Sequence, residues 1–178
     1  DSFSDGGKFN NNKAGYKHGL NLLGSGSDII DIGGESTRPG SKTINHKVEW
    51  NRVKHILKKI SKKNNVSLDT RKSEVMEKGI KLGINLINDV SGLNFDKKTV
   101  NILKKYKTPF VIHHSIKNPE TMQKNPKYKN VVLDIYDFFE KKIKYVRSKG
   151  IKHNNIILDP GIGFGKNLKH NITLLRNI

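Results

Sequence analysis

The segment DIGGESTRPG, Asp31 to Gly40, places carboxylates, two hydroxyls and a guanidinium in one short run punctuated by glycine. Ser36 and Thr37 can donate hydrogen bonds, and Arg38 carries a planar fork suited to phosphate or carboxylate. Gly33-Gly34 would let the backbone turn through positive φ and approach a ligand closely, and Pro39-Gly40 would close the loop. A plain strand-to-helix connection, with Glu35 and Arg38 paired at the surface, would read the same way. Recurrence separates the two. VSLDTRKSE ends an apolar run on Asp69, INLINDVSG on Asn88 and Asp89, and PFVIHHS on His113 and His114. IILDPGIGFGK ends on Asp159, with Gly161, Gly163 and Gly165 behind it.

The elements that must hold these residues alternate in kind. Segments of helical length run from Ala14 to Ser25, Lys47 to Lys63, Glu74 to Leu82, Lys97 to Tyr106, Leu133 to Ser148 and Leu168 to Arg176. Short apolar strands buried on both faces lie between them, so the chain predicts parallel βαβ units with polar residues gathered at the strands' carboxyl ends. A closed (β/α)8 barrel and an open doubly wound sheet both bind ligands there. No GxGxxG turn opens the first helix, and GIGFGK lacks Walker A spacing, which argues against dinucleotide and ATPase readings. Five strands offering polar residues to one convergent face suit an α/β TIM barrel better.

Six motifs then resemble the dihydropteroate synthase family, in order and at comparable spacing: DSFSDGG (Asp1 to Gly7), DIGGESTRPG, LDTRKSEV, INDVSG, HHSIKNPETMQ and DPGIGFGKN. The resemblance runs the whole chain and implies one pterin-binding domain over residues 1–178. It implies a folate-pathway transferase that joins p-aminobenzoate to 6-hydroxymethyl-7,8-dihydropterin pyrophosphate and releases pyrophosphate. Other pterin-binding barrels, such as methyltetrahydrofolate methyltransferases, share the strand-end Asp and Asn pattern and stay as the alternative, with a basic nucleic-acid-binding derivative ranked behind them.

A pterin offers an amidine-like donor edge and an amide carbonyl, which call for carboxylates and an amide. The resemblance places Asp69 and Asp159 as the carboxylates and Asn88 as the amide, although Asp69 alone could simply cap the next helix. It implies Arg38 and Thr37 beside the leaving pyrophosphate and Asp5 in a first loop that closes over the site. Phe3, Ser4, Pro39 and Phe164 would wall the p-aminobenzoate pocket, and His114 would support it. Mg²⁺ is implied on the pyrophosphate, with the family's Asn ligand expected upstream of residue 1 and no metal ligand expected here. Adjacent strand residues face opposite ways, so His113 and His114 are not expected to share a metal.

Net charge is +18, with a pI near 10.0, which ordinarily raises nucleic acid as a partner. The lysines are scattered in helical pairs such as Lys58-Lys59 and Lys104-Lys105, without an aromatic platform. Lys, Asn and Ile share A/T-rich codons, so the charge is read as codon bias and nucleic acid is not expected as a partner. The chain has no cysteine and no apolar run of membrane-spanning length, and a reducing cytoplasmic setting is expected. A complete barrel takes about 250 residues. By the resemblance this chain carries strands two to six, and most of the family's homodimer surface lies beyond it. Little or no synthase activity is therefore expected from these residues alone.

Overall fold

A computed structural model describes residues 12–38, 40–116 and 125–177. Helix α1 (Asn12–Gly24) precedes β1 (Ile30–Gly33), α2 (His46–Ile60) and β2 (Val66–Asp69). Then come α3 (Ser73–Lys81), β3 (Leu86–Asp89), α4 (Thr99–Tyr106), β4 (Phe110–His113), α5 (Val131–Ser148), a 3-10 turn (His153–Asn155), β5 (Ile156–Asp159) and α6 (Leu168–Leu175). All five strands are parallel, in the order β1-β2-β3-β4-β5. The described residues thus form successive βα units of a barrel wall, with β1 and β5 as its two edges.

Side chains alternate between the faces of each strand. One set, Ile30, Ile32, Val66, Leu68, Ile87, Phe110 and Ile112, is buried with Val53, Leu57 and Ile60 of α2 and Met76 of α3 in the main core. Each such side chain contributes about 1.5–3 kcal/mol by leaving water. The buried positions of α2, Glu49, Val53, Leu57 and Ile60, recur at helical spacing, so one stripe faces the sheet. Asn45 starts this helix by accepting from the Lys47 amide at 2.8 Å. The helix ends at Ile60, short of the expected Lys63, and the single Ser61 hydroxyl proton is shared between Leu57 O and Leu82 O. Continuous strand burial holds for β2 and β4 only. Asp31 of β1 faces solvent, and the edge strand β5 leaves Ile157 and Leu158 exposed; among the described residues neither edge strand has a second strand beside it.

Candidate active site

The second set of strand residues builds the site. Backbone register aligns Gly33 with Asp69, Asp69 with Asn88 and Asn88 with Val111, and sets His113 opposite Asp159. Alternation therefore brings Asp31, Asp69, Asn88, His113 and Asp159 to the face turned away from the helices, the last four at or next to the carboxyl ends of their strands. Asn88 Nδ2 donates to Asp31 Oδ2 at 3.1 Å. Its Oδ1 is buried with no hydrogen-bond partner among the described residues, an acceptor left for a donor that the protein does not supply.

Asp69 is buried and does not cap α3, whose N-cap is Lys72. Burial first, and then the carboxylates of Asp31, Glu49, Asp89 and Glu35, hold its pKa well above the ordinary value. It can therefore keep a proton and donate as well as accept. Asp159 Oδ1 accepts from the Gly161 amide at 2.7 Å, which bends the chain directly after β5. Gly161 has φ 68°, and a Cβ there would stand 2.1 Å from His114 O. No other residue fits that approach.

The glycines at the end of β1 work differently from expectation. Gly33 and Gly34 do not take positive φ. Gly34 is needed for closeness instead, because a Cβ there would lie 2.8 Å from Glu49 O. Nor does Glu35 form a surface pair with Arg38. It is buried, accepting from Arg71 Nε at 2.8 Å, from Lys72 Nζ and from the Ile44 amide. Lys72 also reaches Glu49, and Thr70 donates to Glu49. Burial would raise the Glu35 pKa, but Lys72, the Ile44 amide and Arg71 outweigh it and hold the carboxyl below its usual range. The loops after β1 and β2 are thereby fixed to each other beneath the site.

On the opposite side, His113 Nδ1 meets Val90 O at 3.1 Å, and the His113 ring packs edge-to-face with Phe164 at 4.5 Å. His114 lies just past β4, where its ring packs edge-to-face with Phe138 and contacts Lys166. Burial, then the charge of Lys166, lowers its pKa to about 4, so it is neutral at physiological pH. Thr37 is buried and Arg38 half-buried in the loop after β1, where the Arg38 amide donates to Ser36 Oγ at 3.4 Å. Phe3, Ser4, Asp5 and Pro39 lie outside the described residues. The fold thus collects Asp69, Asn88 and Asp159, with Phe164 and His114 at the β4–β5 side.

Sequence reasoning missed Asp31, Lys166 and the Glu35–Arg71–Lys72–Glu49 group. Arg71-Lys72 did carry a signal: two cations directly behind a fully buried strand demand carboxylate partners. Among the described residues no group of three or more His, Asp or Glu side chains could hold a metal ion, and no helix is long and apolar enough to cross a membrane.

Comparison with known proteins agrees with this fold. The sequence pattern of the family described as Pterin binding enzyme matches residues 1–178. A dihydropteroate synthase of Clostridium beijerinckii is 42% identical over 180 residues, an alignment covering 100% of this chain and 64% of that protein. The crystal structure of the Yersinia pestis dihydropteroate synthase with a sulfonamide drug superposes with a TM-score of 0.94 at 37% identity, covering 99% of this chain and 65% of that one. The Xanthomonas albilineans enzyme with 4-aminobenzoic acid gives a TM-score of 0.86 at 34% identity, covering 98% and 62%. The chain thus spans just under two thirds of the length of these relatives.

Proposed function

This chain belongs to the pterin binding enzyme family, and from that premise we propose that its site serves dihydropteroate synthase chemistry. In that reaction the C–O bond between the pterin methylene and pyrophosphate breaks. A C–N bond forms to p-aminobenzoate, and the amine loses one proton. The observation that carries the reading is the convergence of Asp69, Asn88 and Asp159 on one face at the ends of three strands of one sheet. Two carboxyls and an amide match the donor edge and mixed edge of a pterin.

Asp159 would accept from ring N–H groups, Asn88 would offer its unpartnered Oδ1, and Asp69, with its raised pKa, could hold a proton toward a ring acceptor. Electron release from the ring then spreads positive charge from the methylene as pyrophosphate departs, while Arg38 and Thr37 take up the leaving anion. Phe164, with Phe3, Ser4, Asp5 and Pro39, would exclude water from the attacking arylamine. Mg²⁺ belongs to this proposal as a counter-ion of pyrophosphate. The described side chains do not form a cage for it, so no step is assigned to it. A homodimer and a cytoplasmic setting belong to the same reading.

Isothermal titration of the chain with 6-hydroxymethylpterin tests it. Saturable binding that Asp159→Ala abolishes is the expected result, and an absence of binding overturns the reading. Pyrophosphate release dependent on p-aminobenzoate is expected to be little or none with these 178 residues, because they span about 64% of the length of the related synthase.

A further inference from the structure

Lys166 is a lysine only 3% exposed, and among the described residues no carboxylate bonds to it. Its Nζ instead meets four groups: Gly161 O at 2.9 Å, Phe164 O at 2.9 Å, His114 O at 3.2 Å and His114 Nδ1 at 3.1 Å. Three carbonyls and one imidazole nitrogen exhaust the donors of an ammonium group. Two of the carbonyls belong to the loop between β5 and α6, and the other two acceptors belong to the end of β4. The nitrogen therefore closes that loop on itself and fastens it to the neighbouring strand. Phe164 lies within the fastened segment, with its ring against His113.

We propose that Lys166 is a positioning residue for the arylamine pocket, holding the Phe164 segment against the end of β4 so that the Phe164 ring stands as a fixed wall. The proposal rests on the reading of Phe164 as a wall of that pocket. A burial cost this large, met by neutral hydrogen-bond acceptors and eased only through space by the Asp159 carboxylate, has a geometric return: three carbonyls converge on one atom. Asp159 remains held by its own strand and by the Gly161 amide, so the pterin floor does not depend on the tether.

The titratable groups facing Lys166 are His114 and His113 from β4, Asp159 from β5 and Tyr128, whose hydroxyl donates to Gly165 O. Burial lowers the Lys166 pKa to about 8. Burial also lowers both histidines, His114 to about 4, and raises Tyr128. A transition near pH 8 in the tether is accordingly that of Lys166, which loses one donor as it deprotonates.

Lys166→Met keeps the apolar stem and removes the donors. Binding of 4-aminobenzoate, measured with 6-hydroxymethylpterin and pyrophosphate present, is expected to weaken about tenfold in Lys166→Met, while pterin affinity stays within about threefold. Wild-type 4-aminobenzoate affinity should fall as pH rises through about 8, and the variant should be flat there. In the ligand-free protein, the ring-current shift of the His113 ring protons from Phe164 should shrink in the variant and in wild type above that pH. Unchanged arylamine binding with an unchanged His113 shift, or an equal loss for both ligands, would overturn the proposal. Should the wild-type chain bind no 4-aminobenzoate, the pocket assignment fails, and the His113 shift alone then decides the tether. A Lys166→Met chain that does not fold leaves the wild-type pH series to decide in the same way.

Discussion

Arg71 Nε donates to Glu35 Oε1 at 2.8 Å, and both side chains are almost fully buried. This pair joins the loop that carries Thr37 and Arg38 to the loop that follows Asp69. Lys72 and Glu49 extend it into an alternating group of two cations and two anions. Such a group adds less net stability than its contact distances suggest, because desolvation offsets most of the attraction. Breaking it is costly, since each deletion strands a buried charge.

Glu35→Ala should therefore destabilise the chain by roughly 3–5 kcal/mol, the usual cost of removing one partner from a buried pair. Urea unfolding monitored by circular dichroism measures this. The exposed Lys144–Glu140 pair, at 2.8 Å, makes the comparison, and Glu140→Ala is expected to change little. Equal effects of the two substitutions would contradict the account of the buried group.

Asp89 gives the pH dependence. It is fully buried, and burial outweighs its bonds from Ser91 and raises its pKa from 3.8 to about 6. A carboxyl with a raised folded-state pKa contributes stability that is complete below the unfolded value and is lost as pH rises through the folded one. Between about pH 4 and 6, wild type should lose roughly 3 kcal/mol from this residue. Asp89→Asn should flatten that part of a stability-against-pH series, and superimposable curves would show that Asp89 does not titrate as its environment implies.

Gly161→Ala combines a left-handed φ with a collision against His114 O. The substitution should cost at least about 1–3 kcal/mol and weaken pterin binding as well, since the turn it disturbs carries the amide that orients Asp159. Thermal unfolding and titration with 6-hydroxymethylpterin report the two effects separately. A variant as stable as wild type would mean that the β5–α6 loop moves aside without penalty.

Asn88 is the most direct probe of the ring-binding face. Asn88→Ala removes the unpartnered acceptor and should weaken 6-hydroxymethylpterin about tenfold or more. Asn88→Asp should be worse than a simple loss, because it sets a third carboxylate beside those of Asp31 and Asp69. Tighter binding by the Asp variant would show that the ligand meets this position with donors only.

The alternation of elements and the strand-end polar residues were legible in the sequence because each rests on local spacing. Asp69, Asn88 and Asp159 could be placed at one end of one sheet from that spacing, and the resemblance attached a pterin to them. The partners of Glu35 were not legible: Arg71 and Lys72 lie 36 and 37 residues away, and only the sheet brings them close. Arg38 was the nearer cation and the wrong partner. Lys166 escaped notice for a similar reason. A lysine after a glycine-rich loop reads as solvent-facing until three carbonyls from two elements are found around it. The glycines at the end of β1 showed the same limit, since the Glu49 carbonyl that crowds Gly34 comes from the following helix.

The strand order β1-β2-β3-β4-β5 has a consequence for how the chain is made. Each of β2 to β5 pairs with the strand synthesised just before it, so within this sheet a nascent strand does not wait for a distant segment before its backbone groups find partners. The wall can grow one unit at a time as it leaves the ribosome, each completed strand serving as the template for the next. Asp69 and Asn88 would then be in register with each other before the segment bearing Asp159 is translated. The site would be assembled in the order of its residue numbers.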